Sequence, residues 1–378
     1  MFAGRSLITP PLRYVPEFDG LRGIAILGVL LFHTGRFSLG WTGVVLFFVL
    51  SGFLITGILL DGKQRPAYFR NFYARRALRI FPAYYLMLAL TWWIKRDFTI
   101  SPADTGIQPA VPEWTYFIVY VQNYWMGGQR FGTPLSHLLG FSWTLAVEEQ
   151  FYLVWPLLVY LLNVRTLLLL CAALVAAAPL LRMWISSASG NPMLTLAALP
   201  SHLDSLALGA AICLISRDAR LRGWLTWRAG AALLGVAGIP LAILVAATGL
   251  APYGLTSRLQ WMSLPGNAWF LTLISLTFGA VLILALARTP RLSPALAWRP
   301  LRALGKISYG VYLYFSLAYF LVSTMYKVSV FLPLPGSRIG EWELLAINAA
   351  QMMLTVAMAA VSYRYLERPL LDLKQRFR

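Results

Sequence analysis

The chain has 378 residues, of which 59% are apolar and only 12% are Asp, Glu, Lys or Arg, and its mean hydropathy is +0.66. Soluble domains carry about 25% charged residues, so this composition excludes a soluble globular protein. Apolar runs of about 20 residues recur along the whole length, which is typical of membrane-spanning helices. The sequence therefore predicts a single integral membrane domain over residues 1–378, with short loops.

The formal net charge is +18, which would also suit a nucleic-acid-binding protein. Here the basic residues alternate with hydrophobic runs, so membrane topology explains them and we expect no nucleic-acid partner. Cys171 and Cys213 both lie in apolar segments, where free thiols are expected rather than a disulfide. The first 14 residues show no cleavable signal pattern.

Ten apolar segments are predicted to cross the bilayer as helices. They cover residues 23–39, 42–60, 80–95, 142–162, 166–186, 201–216, 229–250, 268–287, 307–326 and 344–363. The aromatic segment 115–126 is too short to cross a hydrocarbon core of about 30 Å. Its Trp and Tyr residues favour a re-entrant or interfacial helix.

The distribution of basic residues orients these segments. With the amino terminus inside, the inner loops and tails hold 24 of the 32 Lys and Arg residues, as the positive-inside rule requires. A further span at 115–126 would invert part of the map and remove the bias. We therefore expect an all-α protein with ten transmembrane helices and both termini, including tails 1–16 and 370–378, in the cytoplasm.

Arg22 and His33 lie on one face of the first predicted span. Ionisable residues inside spans are costly in lipid and need a partner or a function. The eleven-residue separation is close to three helical turns, which places the two side chains about 16 Å apart along the helix. That face presents a cation at the cytoplasmic rim and an imidazole near the bilayer interior. A core histidine that bonds a neighbouring carbonyl explains the presence of His33 in the span equally well.

Glu148 and Glu149 fall within the first two turns of the predicted span 142–162. Adjacent helical residues point about 100° apart, so at most one of them can face a shared interior site. An acidic start that complements the helix dipole accounts easily for one glutamate and less easily for two.

A basic cluster of Arg75, Arg76 and Arg79 stands at the start of the predicted span 80–95. Arg76 and Arg79 project together on a helix, and their planar guanidiniums suit phosphate groups. Anchoring to lipid headgroups is the better explanation from the charges alone.

The remaining ionisable residues within or near spans are His202, Asp204 and His137. Asp204 opens the predicted span 201–216 and is expected to bond either the adjacent helix or His202. His137 is expected in an outer loop and has no assigned role. The three histidines lie on separate segments without a ligand partner at i+3 or i+4, so no metal site is predicted.

Six motifs follow one another in order along the chain. They are Phe18–Ala25 leading to His33 with Arg-x10-His spacing, Val45–Ile55, Arg76–Arg79 followed by Ile80–Tyr85, Ser142–Glu148 through Trp155–Pro156, Ile307–Leu313 and Tyr365–Pro369. Together they resemble the acyltransferase-3 family of membrane O-acyltransferases over residues 17–369. Each motif is weak alone, but six in register with a ten-span count are specific.

The resemblance implies an acyl-CoA-dependent O-acyltransferase, an enzyme that transfers groups other than aminoacyl groups. It implies transfer of an acyl group, most often acetyl, from cytoplasmic acyl-CoA to a hydroxyl of an envelope or exported carbohydrate. The implied catalytic residues are His33 and Glu148, and the implied acyl-CoA-binding residues are Arg22, Arg76 and Arg79. Supporting positions in the matching segments are Asp19, Ser51, Trp143, Tyr152 and Asp204.

Under this interpretation, His33 acts as general base on the acceptor hydroxyl or accepts the acyl group transiently. Glu148 orients or charge-balances His33, or relays the proton. No cofactor is expected to be bound permanently, because acyl-CoA, expected to be acetyl-CoA, is a co-substrate. The expected location is the bacterial cytoplasmic (inner) membrane, with the lipid bilayer and glycan-assembly proteins as partners and no appended SGNH-type domain.

Three positions depart from the family pattern. Val45 stands where Asp is usual, Phe315 where His is usual, and His202 where Arg is usual two positions before Asp204. These departures put acceptor choice or local stability in question more than the reaction class. Two other functions stay open: the same chemistry on a lipid, antibiotic or other small molecule, or a transporter in which His33 and Glu148 form a proton relay.

Overall fold

The computed structural model describes residues 14–97, 113–128, 138–248, 268–326 and 340–373, and these residues form helices with no strand among them. Ten helices of 15 to 30 residues dominate this part of the chain. In chain order they are α1 (Pro16–His33), α2 (Gly43–Gly62), α3 (Tyr68–Asp97), α4 (Trp143–Leu161), α5 (Val164–Ser189), α6 (Leu203–Arg217), α7 (Trp227–Thr248), α8 (Phe270–Leu286), α9 (Ser308–Tyr326) and α10 (Glu341–Ser362).

Shorter helical segments connect or flank the ten long helices. The α-helical ones are Glu113–Ile118, Gln122–Gly128, Pro192–Ala197, Leu292–Leu296, Arg299–Lys306 and Arg368–Asp372. The 3₁₀ turns are Gly40–Thr42, Gly140–Ser142, Leu199–His202 and Arg222–Trp224, and Tyr363–Glu367 is a π-helical turn.

Each long helix overlaps one predicted span. Within the described ranges, six helical segments are long and apolar enough to cross a membrane, and a bent pair, Arg299–Lys306 with α9, makes seven if it counts as one span. The helices α1 and α4 are less apolar because they carry ionisable residues of the predicted site. The prediction of an all-helical protein with several membrane-type helices is confirmed.

Two helix boundaries differ from the prediction in ways that move site residues. The first helix ends at His33, so this histidine lies at a helix terminus and not mid-way along a span. The helix α3 begins at Tyr68, so Arg75, Arg76 and Arg79 lie within its first turns and not at its start. Hydropathy underestimates the length of α3, because the first turns of this helix are polar.

The segment predicted as one short helix over 115–126 is two helices separated near Tyr120, which adopts a left-handed φ of 56°. The hydroxyl of Tyr84 donates to the carbonyl of Phe117 (2.9 Å), and the amide of Gln122 donates to the carbonyl of Ser142 (3.0 Å). These bonds hold the segment against α3 and the start of α4. The prediction of a single helix is wrong.

The helix α2 lies at the centre of the fold and packs against α6 at backbone contact. A Cβ atom on Gly52 would lie 2.0 Å from the carbonyl oxygen of Leu206, and one on Gly209 would lie 1.9 Å from that of Val49. Small residues allow this close approach between helices in a membrane, where packing rather than hydrophobicity drives association. The packing fixes the rotation of α2 and therefore the direction of its polar residues.

A buried ion pair joins α5 to α6. Arg182 pairs with Asp204, and the side chains are 2% and 1% exposed. Thr272 of α8 donates to the same carboxylate (2.7 Å), and Arg182 also donates to the carbonyl of Ser201 (2.9 Å). Of the two predicted partners for Asp204, the adjacent helix is therefore correct. His202 instead contacts the carbonyl of Leu196 (2.6 Å).

Candidate active site

A pocket with charged residues in an otherwise largely apolar lining lies among α1, α2, α3, α4 and α9. Its empty volume, which includes the open solvent at its mouth, is about 740 Å³. Six of the ten predicted site residues line it. These are Arg22, Ser51, Arg76, Arg79, Glu148 and Tyr152. The pocket thus unites residues from four helices that are far apart in sequence.

Ser51 and Glu148 form the shortest contact in the pocket between side chains of different helices. The Ser51 hydroxyl donates to Oε1 of Glu148 at 2.5 Å, and the Tyr152 hydroxyl donates to Oγ of Ser51 at 3.1 Å. Glu148 and Tyr152 are four residues apart on α4 and so share the face that meets α2. Glu148 lines the pocket and Glu149 does not, as the prediction that at most one glutamate faces the site requires.

Three guanidinium groups face the same pocket. The guanidinium carbon of Arg76 lies 4.6 Å from the centre of the Tyr152 ring, a cation–π contact. In the described part of the chain, no residue accepts a hydrogen bond from the side chains of Arg22, Arg76 or Arg79. Three cations face one carboxylate, so the pocket carries an excess of positive charge that suits an anionic ligand.

His33 lies outside the lining of this pocket. Its Nδ1 atom is 2.8 Å from the carbonyl oxygen of Val29, so Nδ1 carries the proton and donates. The Nε2 atom is then left with a lone pair, which is the arrangement a general base needs. The imidazole packs against the ring of Phe315, with 4.4 Å between ring centres.

Phe315, which packs against His33, belongs to an aromatic cluster with Phe141 and Tyr312. The ring centre of Phe315 lies 5.0 Å from that of Phe141 and 6.1 Å from that of Tyr312. Tyr312 lines the pocket and shares a 2.7 Å hydrogen bond with Thr144. Among the described residues no hydrogen bond joins Glu148 to His33, so the structure shows no direct contact through which Glu148 would orient His33.

Three of the predicted supporting residues lie away from the pocket. Asp19 accepts a hydrogen bond from the hydroxyl of Tyr14, and Trp143 stacks on His202 with 5.4 Å between ring centres. Asp204 belongs to the buried ion pair with Arg182. His137, which the sequence places in an outer loop, lies outside the described residues.

Several pocket residues were not singled out from the sequence. Thr144 lies in the motif that contains Glu148, and Ser308, Tyr309 and Tyr312 lie in the motif at 307–313. The motifs were therefore the available signal, although they do not say which of their residues face the site. Within the described ranges, no three His, Cys, Asp or Glu side chains are placed to hold a metal ion.

Comparison with known proteins bears directly on the reaction class. The family described as "Acyltransferase domain" matches residues 15–364, nearly the whole chain. This chain belongs to that family. It carries an acyltransferase domain, and its apolar helices make it a multi-pass membrane protein.

Curated relatives share this domain with the chain at moderate identity. "Putative peptidoglycan O-acetyltransferase YrhL" of Bacillus subtilis (strain 168) is 30% identical over 95% of this chain and 55% of the relative. "Peptidoglycan O-acetyltransferase OatA" of Listeria monocytogenes is 29% identical, over 95% and 56%. "O-acetyltransferase OatA" of Staphylococcus aureus (strain NCTC 8325 / PS 47) is 27% identical, over 95% and 57%. The chain thus spans little more than half the length of these relatives. No solved structure matches it significantly.

Proposed function

We propose that this protein transfers an acetyl group from acetyl-CoA, which reaches the pocket from the cytoplasm, to a hydroxyl of an envelope carbohydrate. In this proposal all ten long helices span the bacterial cytoplasmic membrane, with both termini inside. The observation that carries the proposal is the pocket itself, which the Ser51–Glu148 pair shares with three arginines that have no hydrogen-bond acceptor among the described residues. The membership of the acyltransferase family gives the reaction class.

The arginines favour a donor that carries phosphates. The diphosphate and 3′-phosphate of CoA are multiply charged, and guanidinium groups bind phosphate oxygens bidentately. The phosphates are bound by the guanidiniums of Arg22, Arg76 and Arg79, either stably or during entry of the donor. The pantetheine arm then extends into the pocket and brings the thioester towards Glu148. Because none of the three guanidiniums donates a hydrogen bond to another described residue, donor binding breaks no such bond in that part of the chain.

The names of the relatives support a carbohydrate as the acceptor. Two of the relatives are named peptidoglycan O-acetyltransferases, and we infer that this chain also acts on a carbohydrate hydroxyl of the cell envelope. In the proposal, His33 deprotonates that hydroxyl through Nε2, because Nδ1 is engaged with the carbonyl of Val29. The aromatic cluster of Phe141, Tyr312 and Phe315 limits the access of water to the thioester.

The decisive experiment measures acetyl transfer by the purified full chain in lipid nanodiscs. Acetyl-CoA is supplied with muropeptides or with a defined oligosaccharide, and CoA release is followed together with the mass of the acceptor. We expect CoA release that depends on the acceptor and an acceptor that gains an acetyl ester. A wild-type protein that moves a substrate across the bilayer without consuming acetyl-CoA would instead indicate the transporter.

A further inference from the structure

We propose that Ser51 is a catalytic nucleophile, which takes the acetyl group from the donor as a covalent ester before the group passes to the acceptor. The inference rests on the proposed function and deepens it, because it divides the transfer into two steps. It also gives Glu148 a defined role, as the base that acts on Ser51.

The geometry is that of an activated hydroxyl. Ser51 donates its proton towards a carboxylate only 2.5 Å away, and the Tyr152 hydroxyl donates to the same oxygen and so fixes its position. Covalent catalysis usually needs a nucleophile within hydrogen-bond reach of a base and a third group that fixes the geometry. Here Tyr152 is the third group, and it bonds the nucleophile. Among the other hydroxyls that line the described pocket, Thr144 shares a hydrogen bond with Tyr312, and Tyr309 donates to the carbonyl of Ile80.

The charges around Ser51 suit the transition state of this step. An attack on a thioester carbonyl places negative charge on the carbonyl oxygen, and preorganised cations or N–H donors stabilise it. Arg22 and Arg76 line the same pocket, and Arg76 is held over the ring of Tyr152 at 4.6 Å. Both guanidiniums keep their donors free for a ligand within the described part of the chain.

A covalent intermediate also means that the donor and the acceptor need not be bound at the same time, although the two candidate bases lie in different places. Ser51 and Glu148 line the arginine-rich pocket, whereas His33 packs against Phe315 of the aromatic cluster and lies outside the pocket lining. In a direct transfer, donor and acceptor would have to occupy the site together. An acetyl ester on Ser51 allows CoA to leave before the acceptor approaches from the side of His33.

The two steps balance in atoms and protons. In the first, Oγ of Ser51 forms a bond to the acetyl carbonyl carbon and its proton moves to Glu148. The C–S bond breaks, and the thiolate takes that proton and leaves as CoA. In the second, His33 takes the proton of the acceptor hydroxyl, the acceptor oxygen bonds to the carbonyl carbon and the ester bond to Ser51 breaks. That proton then passes from His33 to Oγ of Ser51, which restores both groups.

The test uses the purified full chain in nanodiscs with radiolabelled acetyl-CoA and no acceptor. We expect a burst of CoA release of up to one equivalent and an acetyl group on the peptide that contains Ser51, stable in acid and removed by alkaline hydroxylamine. His33→Ala should accumulate the same ester, because its second step is slowed. Ser51→Ala should lose the burst, the label and roughly 1,000-fold or more of acetyl transfer.

Two further variants separate a nucleophile from a structural hydroxyl. Ser51→Cys keeps the pocket filled and should trap the acetyl group as a thioester, which neutral hydroxylamine removes. Thr56→Val is the matched control: Thr56 is buried on the same helix, accepts from Trp155 (2.9 Å) and lies outside the pocket, so its loss should leave the label intact.

The outcomes distinguish this inference from the proposed function. If wild-type protein acetylates the carbohydrate but neither it nor His33→Ala carries an acetyl group on Ser51, the inference is overturned and the function stands. The same holds if Ser51→Ala keeps transfer within about threefold of wild type. If no carbohydrate is acetylated while Ser51 is labelled, the acceptor assignment fails and the inference is supported.

Discussion

The hydroxyl of Ser51 on α2 donates to the carboxylate of Glu148 on α4 over 2.5 Å, although 97 residues separate them in sequence. The contact depends on the backbone packing of α2 at Gly52, which sets the rotation of the helix and directs Ser51 to α4. Glu148 therefore has its hydrogen-bond partner on α2. In our proposal this contact makes it the base that acts on Ser51, and it is linked to His33 only through the second step of the transfer.

Glu148→Gln should lower the rate of acetyl transfer by about 100-fold or more, since the amide cannot accept the proton of Ser51. Because glutamine has nearly the same shape, donor binding should be retained. The measurement is the initial rate of CoA release with saturating acetyl-CoA and acceptor. The matched control is Glu149→Gln, which changes the neighbouring residue outside the pocket lining and should stay within a few-fold of wild type. Equal losses in both variants would contradict the assignment.

Arg76→Ala should raise the KM for acetyl-CoA by roughly 10-fold to 100-fold, since a hydrogen bond to a charged group contributes about 1.5–3 kcal/mol. The effect should vanish with S-acetylpantetheine, which lacks the nucleotide and its phosphates. The comparison of the two donors therefore reports on phosphate binding and not on general damage to the pocket.

The control for Arg76 is Arg165→Ala. Arg165 is an exposed arginine at the start of α5, assigned to the same side of the membrane but outside the pocket. Its removal should leave the KM for both donors unchanged within about twofold, because surface charges far from a ligand contribute little. An unchanged KM for acetyl-CoA in Arg76→Ala would sink the donor-binding role.

Much of this arrangement could be predicted from the sequence, for physical reasons. Apolar runs mark the helices because the bilayer interior demands them. Pairs on one helix, such as Arg76 with Arg79, follow from helical spacing. The sequence prediction placed the start of α3 too late along the chain, since its first turns are charged and hydropathy does not detect charged helical turns.

Contacts between distant helices could not be predicted from the sequence. The Ser51–Glu148 bond depends on which helices are neighbours and on how each is rotated, and neither can be deduced from residue spacing within one segment. The same holds for Arg182, which stands alone in an apolar run and has its partner, Asp204, on the next helix. The position of His33 against Phe315 likewise follows from the packing of α1 against α9.

His33→Ala should abolish acetylation of the carbohydrate while leaving membrane insertion intact, because the acceptor hydroxyl then lacks its base. A loss of roughly 100-fold or more is expected. Acceptor acetylation is measured by mass spectrometry, and the thermal stability of the purified variant is measured in parallel. Thr34→Val is the local control: among the described residues the Thr34 hydroxyl bonds only the carbonyl of Leu31 (2.9 Å), so its removal should preserve activity. Full activity in His33→Ala would remove His33 from the mechanism.

The ion pair of Arg182 with Asp204 is expected to hold the helices together and not to take part in the reaction. Asp204→Leu leaves a buried guanidinium without its carboxylate, and breaking a buried pair costs about 3–5 kcal/mol. The apparent melting temperature should therefore fall by about 5 °C or more. The chain has two cysteines, both free and buried, so a thiol-reactive fluorogenic dye reports unfolding directly.

The double variant Arg182→Leu with Asp204→Leu separates pairing from simple loss of packing. Without either charge no uncompensated ion stays buried, so the double variant should recover part of the stability lost in the single one. Protein that stays folded should keep the acyl-CoA KM of wild type, since neither residue lines the pocket. If Asp204→Leu instead melts like wild type and loses acetyl transfer, Asp204 acts in the reaction and its structural assignment is wrong.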